Sequence, residues 1–171
     1  MYRTSSSTFP AGFVPGDVFN SEILSPADPF CPLPVTYRPT DLTTLTSLNP
    51  LKGHVSAIHT SLFFHLFDEE KQSELARRVA NLLCPESGSM VFGGHYVRPK
   101  KGVRTETLAD GVVHTQFWHS PSSWKKLWEE QVFRKGSAKV EVDWSVSTEY
   151  TSMDGQDGAA LYYMAWCVTR L

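Results

Sequence analysis

The chain has 171 residues, 41% of them hydrophobic and 20% charged, which suits one globular domain with a core of its own. With 16 basic and 18 acidic residues the net charge is −2, so no basic surface for nucleic acid is signalled. No apolar run is long enough to span a bilayer, and the opening "MYRTSSSTFPAGF" has no signal-peptide apolar core.

Residues 1–12 read as a short, frayed, polar start, and residues 13–171 as one partial domain. "FVPGDVF", at 13–19, predicts a short strand over 13–18 that runs into a loop. Seven of the eleven prolines fall between Pro10 and Pro39, so this segment, and 25–40 above all, is an irregular connection. Leu42, Leu45 and Leu48 recur at spacings of three behind Asp41, which predicts a short helix ending before Pro50. "HVSAIHTS" is a buried strand, expected over 54–60. "LFFHLF" either extends that strand or starts a helical turn, a choice periodicity leaves open.

Asp68 then caps a helix over 68–83, with Glu69 and Glu70 at the positive end of its dipole. Leu75, Val79, Leu82 and Leu83 form its apolar stripe, and Arg77 and Arg78 are expected to face water. "CPESG" stops this helix, and "SMVFGGHYV" is the next strand, over 89–95. Residues 98–115 read as a loop. Ser120 and Pro121 open a helix over 121–134 whose apolar face is Trp124, Leu127, Trp128 and Val132, and Gly136 ends it. Period-two alternation in "AKVEVDWSVSTEY" and the run "ALYYMAWCVTRL", joined by "MDGQDG", predict an antiparallel hairpin over 139–149 and 159–170.

Cys31, Cys84 and Cys167 are far apart and form no C-x-x-C pair. They read as free thiols of a cytoplasmic protein, with Cys84 and Cys167 as small core residues. His54, His59 and His65 are five and six apart, which matches no helical metal-ligand pair, so no metal is expected. There is no G-x-S-x-G elbow for a serine hydrolase.

A strand, helix, strand unit closed by an antiparallel hairpin, together with "GDVF" at 16–19, "VSAIHTSLFFHLFDEEKQ" at 55–72, "LLCPESGSMVFGGH" at 82–95 and "HSPSSWKKLW" at 119–128, resembles the class I S-adenosylmethionine-dependent methyltransferases. The similarity is narrower with the fungal methyltransferases of polyketide and terpenoid pathways. It runs from about Phe13 to the C-terminus and implies an α/β, Rossmann-like fold, of which this chain would be the C-terminal part.

The resemblance also implies roles for particular residues. Asp17 and the Val18 amide would hold the adenine of S-adenosylmethionine, although Asp17 reads equally as an ordinary turn residue. His59 and Thr60, with Ser61, would end the strand beside the cofactor's methionine part, or His59 would simply satisfy a carbonyl. His65, Trp118 and His119 would face a small-molecule acceptor, with His65 serving either packing or chemistry. The implied reaction is O-methylation of a carboxyl or hydroxyl group on a secondary metabolite.

The family's Gly-rich turn after the first strand, and the acid that grips the ribose, have no counterpart before Phe13. That raises three expectations: a catalytic domain represented by its back half, weak binding of the cofactor by this chain alone, and association with itself or with a complementary chain. The alternative is a non-catalytic relative that acts as an interaction partner. Neither nucleic acid nor membrane is expected among its partners.

Overall fold

The computed structural model describes residues 12–27, 36–107, 110–147 and 161–171. Among the described residues are six strands: β1 (Ala57–Ser61), β2 (Met90–Val97), β3 (Gly102–Thr107), β4 (Val113–Trp118), β5 (Ala138–Val146) and β6 (Tyr162–Arg170). Three α-helices accompany them: α1 (Ser21–Leu24), α2 (Glu69–Ala80) and α3 (Pro121–Lys126). A π-helical stretch over Leu127–Val132 continues α3, with the Phe133 amide bonded to the Trp128 carbonyl.

Four strands make one sheet in the order β1-β2-β6-β5. β1 and β2 are parallel, and Ala57 lies opposite Met90. The other two pairings are antiparallel, with Phe92 opposite Cys167 in β2–β6 and Glu141 opposite Cys167 in β5–β6, the latter being the predicted hairpin. Two adjacent glycines fix how closely these strands meet. A Cβ on Gly93 would overlap the Thr60 carbonyl, and one on Gly94 would overlap the Tyr163 ring.

Alternation sorts the side chains of the sheet into two very different faces. Ile58, Val91, Val97, Met164, Trp166, Val168 and Val140 face α2 and α3 and join the core. From α2 and the turn after it the core takes Leu75, Val79 and Leu83, and from α3 and its π-helical continuation Trp124, Leu127 and Trp128, so both predicted apolar stripes are buried. The opposite face carries His59, Phe92, Ala165, Cys167, Glu141 and Asp143. No described helix covers it. Phe92 is 38% exposed there.

α2 is held at its start by the Asp68 side chain, which accepts from the Lys71 amide as the sequence predicts. α3 opens with a reciprocal capping box between Ser120 and Ser123. Leu83 is fully buried just past the end of α2. Leu83→Ala should therefore lower unfolding free energy by roughly 2–5 kcal/mol in urea titration, and a loss within noise would place this residue in solvent.

Several expectations need correction. Residues 13–18 form no strand: they bend, turn at Val18 and Phe19, and lead into α1. β1 is consequently an edge of the sheet rather than a strand between two parallel neighbours. A strand needs a partner for its amides, and the Asp17 carboxylate instead folds back to accept from Phe19 N at 2.9 Å.

The stretch read as a loop at 98–115 contains most of a hairpin, β3 against β4. The helix expected after Asp41 is absent. Asp41 accepts from the amide and hydroxyl of Thr43, and helical turning comes only as a 3-10 turn over Asn49–Leu51. "FFHLF" resolves as a 3-10 turn, Phe64–Leu66.

Arg78, expected in water, is 4% exposed and donates to the carbonyls of Val18 and Leu24 while pairing with Glu74 at 2.5 Å. It therefore anchors the 18–24 segment to α2. Cys84 and Cys167 are half-buried rather than core residues. Cys31, the start at 1–11 and most of the proline-rich loop lie outside the described residues.

Candidate functional site

In open α/β sheets ligands bind beyond the carboxyl ends of the parallel strands. β1 ends at Ser61, and the next residue, Leu62, has a left-handed backbone with φ of 51°. A branched side chain adopts that conformation at a cost, so the turn is held by its surroundings. The Leu62 amide donates to the Gly94 carbonyl at 2.8 Å. Ser61 Oγ lies 3.4 Å from the same carbonyl and 3.5 Å from the Tyr163 hydroxyl.

The chain then delivers Phe63, Phe64 and His65 onto the helix-packed side, where three buried histidines gather. The His65 and His95 rings stack at 6.3 Å, and His65 lies edge-on to Tyr96 at 5.5 Å and to Trp118 at 6.3 Å. Tyr96 and Trp118 stack on each other at 5.7 Å. Trp124 joins the far side, 4.6 Å from His95 and 5.4 Å from His119. Gln72 locks the frame by donating to the carbonyls of Phe67 and Phe117 at 2.8 and 2.6 Å.

Burial pushes His65 down to about 4. His119 also falls to about 4, chiefly by burial, with Lys101 lowering it further and Glu69 opposing. His95 falls well below the ordinary histidine range through burial and the proximity of the other two. All three are neutral at pH 7.

His95 Nδ1 accepts from Trp166 Nε1 at 3.0 Å, so its proton sits on Nε2, which has no protein partner. His65 Nδ1, His119 Nε2 and Thr60 Oγ1 are likewise buried and unpartnered. Buried polar atoms are normally satisfied, so these four positions around the end of β1 are where a ligand's polar groups could bond.

The predicted acceptor-side residues, His65, Trp118 and His119, are thus brought into one aromatic and imidazole cluster. The predicted cofactor residues are not. Thr60 points to the helix-packed side and His59 to the bare face, where its ring lies 5.1 Å from Phe92. Asp17 is spent on its own turn, and Val18 packs on the core with its carbonyl bonded to Arg78. His59 and Thr60 thus lie on opposite faces of the sheet, and no Gly-rich turn follows a strand among the described residues.

Sequence reasoning missed His95, Tyr96 and Gln72. The alternation of Val91, His95 and Val97 in β2 was the available signal for an inward His95.

Two cavities border this framework. One is an open, largely apolar groove of about 590 Å3 on the sheet, with Phe92, Ala165 and Cys167 in its lining. The other, about 200 Å3, lies between α2 and α3 and includes His119. Among the described residues no group of histidine, cysteine or acidic side chains could hold a metal ion. No described helix is long and apolar enough to cross a membrane.

Comparison with known proteins agrees with this architecture. O-methyltransferase phiE of a fungal species is 32% identical over 100 residues, which is 58% of this chain and 31% of the relative. The asnovolin E/chermesin D methyltransferase nvfJ of Aspergillus novofumigatus is 29% identical over 123 residues, 72% of this chain and 42% of the relative. Methyltransferase ausD of Penicillium brasilianum is 32% identical over 123 residues, 71% of this chain and 42% of the relative. The chain thus spans less than half the length of these relatives.

Among solved structures, a putative S-adenosylmethionine dependent methyltransferase from Listeria monocytogenes matches with a TM-score of 0.50 at 8% identity, covering 70% of this chain and 63% of that one. No family model matches the chain. In sequence the chain is thus similar to fungal methyltransferases of secondary metabolism, and its fold is that of the Rossmann-like methyltransferases.

Proposed function

We propose that this chain forms the acceptor-facing and sheet-closing part of a cytoplasmic methyltransferase that moves a methyl group from S-adenosylmethionine to a carboxyl or hydroxyl oxygen of a small polyketide or terpenoid. The observation that carries the reading is the cluster of His65, His95, Trp118 and His119 behind the carboxyl end of β1, in a chain akin to fungal methyltransferases. The name of the O-methyltransferase phiE favours oxygen as the accepting atom.

S-adenosylmethionine would supply an activated methyl group, and the protein's part is alignment and exclusion of water. The aromatic walls of Trp118 and Tyr96 suit an apolar acceptor. A neutral histidine such as His119 could take the proton of a hydroxyl, whereas a carboxylate needs no base.

No Gly-rich turn follows a strand among the described residues, so binding of the cofactor by this chain alone should be weak. Losing two or three hydrogen bonds to charged groups, about 1.5–3 kcal/mol each, moves a micromolar ligand to millimolar or beyond. Calorimetric titration with S-adenosylmethionine tests this. Micromolar affinity abolished by Asp17→Ala would show that these residues suffice, and the reading would then be wrong.

The same sheet supports a proposal about partners. A parallel pair normally has both faces covered, yet among the described residues one face is uncovered and β1 is an edge strand. A second copy or a complementary chain of the same family is the partner this surface suits; neither nucleic acid nor membrane is proposed. The bare face also favours a second reading, a non-catalytic domain that works by association. Tight cofactor binding once a complementary chain is added would decide for the enzyme.

A further inference from the structure

The two histidines assigned to the acceptor are closed off. His65 and His119 are 7% and 4% exposed, and His65 Nδ1 and His119 Nε2 are sealed without a protein partner. An acceptor can meet them only if a neighbouring element moves, so the packing of each neighbour decides which one can. Phe64, on the same turn as His65, is 1% exposed, and its ring lies 5.0 Å from Trp124 and 5.9 Å from Trp166. α3 is pinned by the fully buried Trp124 and by its capping box. Neither the turn nor the helix moves without opening the core.

The β3–β4 hairpin is built differently. It is a sheet of its own, unpaired with the four-stranded sheet. Its neck is closed where the Arg98 amide donates to the His119 carbonyl at 3.0 Å. In β4 the first three residues are exposed, and burial comes only at Phe117 and Trp118. Val103 and Val113 also stand in water. A two-stranded hairpin has little stability of its own, so its buried end must hold it. That end is also the cover: Phe117 lies edge-on to His119 at 5.1 Å, and Trp118 edge-on to His65 at 6.3 Å.

The closed position is held from α2 and β2. Gln72 is 1% exposed, and its amide donates to the Phe117 carbonyl at 2.6 Å and to the Phe67 carbonyl at 2.8 Å. Trp118 stacks on Tyr96 at 5.7 Å. The ion pair from Lys101 to Glu69 is exposed on both sides and adds little.

We propose that the β3–β4 hairpin is a flap over the acceptor site, hinged at its neck between Arg98 and His119 and latched by Gln72. Opening lifts Phe117 and Trp118 away from His119 and His65. His95, bonded to Trp166 and packed on Trp124, stays covered. The purpose of the flap rests on the acceptor reading of His65 and His119, but its movement is a property of the chain alone.

Diethyl pyrocarbonate acylates neutral imidazoles that it can reach, and mass spectrometry of peptides from the full chain reads each histidine separately. The measurement is made at pH 7 in urea concentrations below the unfolding transition. His59, exposed on the other face of the sheet, should react fast throughout. His65 and His119 should react slowly at a nearly constant rate, because a flap exposes little new surface. His95 should react only through global unfolding, its rate climbing with urea. Leu83→Ala, a core change outside the hairpin, should speed His95 and leave His65 and His119 alone. Gln72→Met keeps the bulk and removes both hydrogen bonds, so it should speed His65 and His119 about tenfold or more, still with little urea dependence. Rates at His65 and His119 that climb with urea in step with His95, or that rise equally in Leu83→Ala, would overturn the flap. So would indifference to Gln72→Met. Failure of S-adenosylmethionine to bind would count against the methyltransferase reading and leave these rates unchanged.

Discussion

Trp124→Ala should cost about 3–5 kcal/mol of unfolding free energy, the range for truncating a fully buried tryptophan. Trp124 is completely buried and meets Phe64, His95, Trp128 and Trp166 at ring distances of 5.0, 4.6, 5.7 and 4.9 Å. It is therefore the hub through which α3, the Phe64 turn and two strands share one core. Its indole nitrogen has no partner, so truncation removes packing and ring contacts without orphaning an acceptor. Urea denaturation gives the measurement. Trp124→Phe should recover part of the loss. A cost below about 1 kcal/mol would show that the helix does not depend on this side chain and would contradict the packing.

Acid should act on the same core through its histidines. His65 and His119 have folded pKa values of about 4, below the 6.5 of an unperturbed imidazole. Between those values the unfolded chain binds more protons than the folded one, so stability rises with pH. The contribution is fully present above 6.5, is lost progressively as pH falls, and levels off below about 4. From pH 7 to 5 the two residues together should remove roughly 4 kcal/mol, and His95 acts in the same direction. This window lies mostly above carboxylate titration, so denaturant midpoints at pH 7, 6 and 5 isolate the effect. His65→Gln should flatten the slope. A midpoint that stays constant across the range would mean that the imidazoles are solvated.

The parts of the fold that could be read from the sequence were those with local causes. Asp68, followed by Glu69, Glu70 and a stripe at helical spacing, predicts α2 because cap, dipole and periodicity agree. Ser120 and Pro121 do the same for α3. Their far ends were less legible. α3 gives way to a π-helical stretch at Leu127, where the register that buries Trp124 and Trp128 is set by packing rather than by propensity.

Long-range demands account for the other misses. Nothing local says that Arg78 is buried; the reason is the unpaired carbonyls of Val18 and Leu24, about 54–60 residues away in sequence. "FVPGDVF" suggested a strand, but its backbone pairs with no described strand, and a side-chain turn takes over. The β3–β4 hairpin did alternate, yet its charged residues gave no apolar face to see. In the site, His65 and His119 stood out as polar residues at element ends. His95 did not, because its partner Trp166 lies 71 residues further on.

The sheet face that no described helix covers places a thiol where it can be used. Cys167 lies there opposite Phe92 and Glu141, half-exposed, while Cys84 sits elsewhere near the end of α2. Its rate of alkylation by a maleimide therefore becomes a clock for how long that surface stays uncovered. A partner that docks on the sheet slows the clock at Cys167 and leaves Cys84 running, so occupancy can be followed in a crude mixture by mass spectrometry, with no ligand and no catalytic assay.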